Sequence, residues 1–89
     1  MIDTDVFLRA EALLQICRKN DVTLSTVESC TGGLVVGSLT EVAGSSSVVD
    51  RGFVTYTNEA KNQLVGVPMV LFENYGAVSE EVARAMATG

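Results

Sequence analysis

The feature that most constrains this chain is a change of periodicity at one serine. From Val22 to Glu28 the residues are β-prone. At Ser29 that run stops, Gly32 and Gly33 follow, and apolar residues then recur at helical spacing. A strand that ends on a hydroxyl, turns through two glycines and becomes a helix belongs to an α/β architecture. In open α/β sheets such a turn sits at the carboxyl end of a strand, where ligands bind. N–H groups at the start of the following helix face the same space and favour negative charge. Ser29 is therefore the candidate nucleophile.

The flanking segments supply the rest of such a fold. Asp3 or Thr4 can cap a first helix whose Val6, Ala10, Leu13, Leu14 and Cys17 share one face, with Arg18, Lys19, Asn20 and Asp21 as its stop. The second helix is expected from Thr31 to Val42, with Leu34, Val35, Leu39 and Val42 inward. After a loop at Gly44 to Ser47, a second strand is expected from Val48 to Thr57, centred on Phe53 and Val54, with Gly52 a candidate bulge. Asn58 reads as the N-cap of a helix to Val65. Pro68 suits the first turn of another short helix, and Ser79 followed by Glu80 and Glu81 opens a last one with Val82, Ala85 and Met86 inward. The order α-β-α-β-α-α-α contains only two strands. Two strands seldom make a stable sheet alone, so the pattern reads as part of a larger sheet, with an apolar edge favouring association with another copy or with the rest of the sheet.

Composition closes off several kinds of chemistry. The 89 residues suit one small domain, and 47% hydrophobic content marks a globular chain. Six basic against eleven acidic residues, a net charge of −5, argue against a nucleic-acid surface. No apolar run approaches the roughly 20 residues of a membrane span. Cys17 and Cys30 are too few for a disulfide scaffold, and with no targeting pattern they read as reduced thiols of a cytoplasmic protein. There is no histidine, which removes Ser-His-Asp and Cys-His catalysis and most zinc sites. A base must come from lysine, carboxylate or tyrosine.

Lys61 is the interesting base. In the first turn of a helix the dipole disfavours its cation, and burial pushes the same way. Tyr56, at the end of the preceding strand, could reach the same pocket and relay a proton, and Ser-Lys pairs are an established means of activating a nucleophile. Each residue also has a plain reading, and spacing alone favours it. On that reading Ser29 caps the second helix, Lys61 is a surface lysine, Cys30 is a small core residue rather than an alternative nucleophile, and Glu28 is a strand-end acid rather than a holder of a ligand hydroxyl or of Lys61. Gly32 and Gly33 then serve close packing, although they could also cradle a phosphate. Arg51 and Asn58 stand as ligand contacts or as surface charge and helix cap.

Longer blocks carry a resemblance. Val27-Glu28-Ser29-Cys30-Thr31-Gly32-Gly33, Gly44-Ser45-Ser46, the run Arg51 to Lys61 and Gly76-Ala77-Val78-Ser79-Glu80-Glu81-Val82 together resemble the CinA C-terminal-domain family across essentially the whole chain. The resemblance implies a three-layer α/β/α domain, of which residues 1–89 correspond to the N-terminal half. The other half would carry further strands, a glycine-rich loop and basic residues for a substrate phosphate. Met1 just before the first helix resembles the stand-alone form. The implied activity is hydrolysis of nicotinamide mononucleotide to nicotinate mononucleotide and ammonia, with Ser29 as nucleophile activated by Lys61 and Tyr56. Glu28, Cys30, Thr31, Gly32, Gly33, Arg51 and Asn58 are the expected substrate contacts. No cofactor or metal is required, and a homo-oligomer is expected. Thr57 stands where the family often has serine.

Overall fold

A computed structural model describes residues 3–89; the expectation attached to Met1 lies outside them. The elements run α1 (Thr4–Lys19), β1 (Leu24–Glu28), α2 (Leu34–Thr40), β2 (Val49–Val54), α3 (Asn58–Val65), α4 (Met69–Tyr75) and α5 (Glu80–Thr88). A single 3-10 turn, Ser45–Ser47, lies in the α2–β2 loop. The fold class is α/β. Strands β1 and β2 are hydrogen-bonded neighbours. The Leu24 N–H donates to Val48 O near the start of both strands, and the Thr55 N–H donates to Glu28 O at their ends, so the pair is parallel.

The chain forms two compact units. The first comprises residues 3–26 and 33–52, the second 27–32 and 53–89. In the first, Asp3 caps α1 through its carboxylate, which accepts from Asp5 N and Val6 N. Ala10, Leu14 and Cys17 of α1 pack with Leu39, Val42 and Val48. Val6 and Leu13 sit outside that core, each 41% exposed. Helix α2 begins later than the residue pattern suggests. Gly32 and Gly33 hold positive φ angles of 59° and 102°, left-handed values that no helix continues through, so Thr31 to Gly33 form a turn. Leu34 and Val35 consequently face outward, and only Leu39 of α2 is buried. Gly52 is required by close approach, since a Cβ there would stand 2.8 Å from Thr26 Oγ1 and 3.0 Å from Val36.

The second unit holds the segment around Ser29. Its core is Val65, Val67, Val82 and Met86, with Val27, Phe53, Leu71 and Phe72 packed against it. Thr57, not Asn58, caps α3, because the Thr57 hydroxyl accepts from Ala60 N at 3.0 Å while Asn58 is already helical. Ser79 caps α5 as its position before Glu80 and Glu81 suggests, accepting from Val82 N at 3.2 Å. Pro68 occupies the cap position of α4. Strand β1 begins at Leu24 and β2 ends at Val54, each shorter than its β-prone run.

Candidate active site

The site is built on the end of β1 and the first turn of α3. Glu28, the last strand residue, is buried at 4% exposure, and its carboxylate accepts the Thr31 hydroxyl at 2.6 Å. Its carbonyl accepts twice from Thr55, from the backbone N–H at 2.7 Å and from Oγ1 at 2.9 Å. The chain therefore leaves the strand on a fixed peptide and bends at Ser29, whose carbonyl accepts from Gly32 N at 3.1 Å. Ser29 is half-buried and does not cap α2: the cap position is Gly33, which has no side chain for the task.

Lys61, the expected base, is the second member. Its N–H makes the first backbone bond of α3, to Thr57 O at 3.1 Å, which puts the side chain in the first turn. That side chain is buried, with the residue 4% exposed. Its Nζ donates to Tyr56 O at 3.1 Å and lies 5.9 Å from the centroid of the Phe72 ring. A buried amine is costly unless partnered, and here a carbonyl and a ring face supply partners. Tyr56 meets Lys61 through its backbone carbonyl, and the residue as a whole is 74% exposed.

Ser29, Cys30 and Lys61 line one cavity of about 200 Å³. The remaining lining comes from Ala77, Val78 and Ser79 in the α4–α5 loop and from Ala83 and Met86 of α5. The hydroxyl of Ser79 is committed, donating to Gly76 O at 2.8 Å and accepting from Val82 N. A serine and a lysine thus line the same small, mostly apolar space. Such an arrangement can activate the hydroxyl toward a carbonyl carbon.

The other expected contacts are dispersed. Thr31 and Gly32 are exposed in the turn, and Asn58 is half-buried at the start of α3; none of the three lines the cavity. Gly33 and Arg51 belong to the first unit, where the exposed Arg51 pairs with Asp50. The sequence reading missed the α5 side of the cavity. Alanine, valine and methionine carry no chemical signal, and only the helical register of Val82 and Met86 hinted that α5 packs inward. Among the described residues no group of three or more His, Cys, Asp or Glu side chains is placed to hold a metal, and no helix is long and apolar enough to cross a membrane.

Residues 8–89 match the model of the CinA C-terminal domain. The chain is 45% identical over 89 residues to the nicotinamide-nucleotide amidohydrolase PncC of Escherichia coli K12, covering 100% of this chain and 54% of that protein. It is 56% identical over 79 residues to a putative competence-damage inducible protein of Symbiobacterium thermophilum, covering 89% of this chain and 18% of that one. The crystal structure of a competence/damage inducible protein from Agrobacterium tumefaciens superposes with a TM-score of 0.96 at 47% identity, over 100% of this chain and 54% of that chain. The chain thus spans from about a fifth to about half the length of these relatives, and it belongs to the CinA C-terminal domain family.

Proposed function

We propose that this chain carries the nucleophile side of an amidohydrolase site that deamidates nicotinamide mononucleotide. The observation that supports it best is the shared cavity of Ser29 and the buried Lys61. Support for the substrate comes from the 45% identity to a nicotinamide-nucleotide amidohydrolase.

In this reading Ser29 Oγ attacks the carboxamide carbon while its proton passes to Lys61 Nζ. The Gly32 N–H is already engaged by Ser29 O, so the reading assigns the developing oxyanion to the N–H groups of Cys30 and Thr31. Collapse of the tetrahedral adduct breaks the C–N bond, and Lys61 returns its proton to the departing ammonia. Water then attacks the acyl-enzyme, again through Lys61, releasing nicotinate mononucleotide and restoring the Ser29 hydroxyl. The Tyr56 carbonyl holds the amine, and its phenol is assigned the relay of protons to solvent. The protein is read as cytoplasmic and as working in an assembly with further copies.

Ammonia release from nicotinamide mononucleotide tests this reading. Ser29→Ala should fall to background, and Lys61→Ala should fall by about 10²–10⁴-fold. A second reading is a nucleotide-binding or assembly unit without turnover. Ligand binding without ammonia release would select it.

A further inference from the structure

One residue outside the assigned site touches the supports of both reactive groups. Thr55 is 1% exposed, and both of its donors, N–H and Oγ1–H, converge on Glu28 O at 2.7 and 2.9 Å. That carbonyl belongs to the peptide that carries the nitrogen of Ser29. The next residue along, Tyr56, provides the carbonyl that holds Lys61 Nζ at 3.1 Å. A continuous path therefore runs from the nucleophile's peptide through Thr55 and Tyr56 to the amine, inside one compact unit.

We propose that Thr55 is a positioning residue that fixes the geometry between Ser29 and Lys61. The backbone N–H bond alone closes the strand pair, as any residue at this position would do. The hydroxyl adds a second donor to the same oxygen from a different direction, so the peptide loses its freedom to rock about a single bond. That freedom matters because displacement by a fraction of an ångström separates an activated hydroxyl from an idle one. The hydroxyl is buried and paired, so packing alone does not explain it: valine has the same shape without the donor.

The proposal rests on the amidohydrolase reading for the roles of Ser29 and Lys61, and the test separates the two. A fluorophosphonate probe is reacted with the protein, and the rate of label appearing on Ser29 is followed by mass spectrometry. In that reaction the Ser29 Oγ–P bond forms, fluoride leaves and the serine proton passes to Lys61. Thr55→Val should label about tenfold more slowly or worse, and should lower kcat by a similar factor with KM within about twofold. Thr55→Ser, which restores the hydroxyl, should recover most of the rate. Melting curves establish that each variant is folded at the assay temperature. Should Thr55→Val not fold, Thr55→Ala against Thr55→Ser is read the same way. Wild-type labelling by a folded Thr55→Val protein overturns the proposal and leaves the amidohydrolase reading intact. No label on Ser29 in the unmodified protein overturns that reading, and the role of Thr55 with it.

Discussion

Replacing Lys61 with methionine should leave the protein as stable as before while removing its chemistry. Methionine keeps an unbranched stem of similar length in the same buried space and deletes the amine. The interactions lost are the bond to Tyr56 O at 3.1 Å and the approach to the Phe72 ring at 5.9 Å. A paired hydrogen bond contributes about 0.5–1.5 kcal/mol net. Against it stands the cost of taking a polar amine out of water to 4% exposure, itself about 1–3 kcal/mol. The terms nearly cancel, so Lys61→Met should change unfolding free energy by no more than about 1 kcal/mol in either direction. Loss of the proton acceptor should meanwhile reduce ammonia release, and labelling of Ser29, by about 10²–10⁴-fold. Urea unfolding and the two rate assays on the same preparations check the pair of outcomes. A variant destabilised by more than about 2 kcal/mol with unaltered reactivity would mean that Lys61 is a structural tether, and the reasoning fails.

Three further outcomes follow from the structure. Ala83→Leu, on an exposed helix position that lines the cavity, should raise KM several-fold by filling space beside Ser29 while the melting temperature stays put; unchanged KM places the substrate elsewhere. Leu14→Ala, at a site 0% exposed, should cost about 2–5 kcal/mol in chemical unfolding, whereas a similar change at Ile16, 59% exposed, should cost far less. Thr57→Ala should destabilise by about 1 kcal/mol through loss of the α3 cap, and Asn58→Ala should cost less, as read from paired thermal melts.

The features legible in the sequence were those set by local chemistry. Asp3 and Ser79 announce α1 and α5 because a cap depends on the few N–H groups that follow it. The order of elements and the family blocks around Ser29 were likewise readable. Errors arose where two local solutions compete. The stretch Thr31 to Gly33 can extend a helix or bend, and the left-handed backbone of Gly32 and Gly33 decides for the bend. Thr57 and Asn58 are both good caps, and the end of β2 at Val54 selects the earlier one. The burial of Lys61 could not be read locally at all, since it depends on Phe72 of α4, eleven positions away. Spacing favoured a solvent-facing lysine; tertiary packing encloses it.

The two cysteines occupy opposite circumstances: Cys17 is sealed within the first unit's core, while Cys30 is exposed at the cavity that Ser29 lines. An alkylating dye should therefore find a single address without any engineering. Placed there, a fluorophore becomes a native reporter, brightening or dimming as molecules enter and leave the space beside the serine.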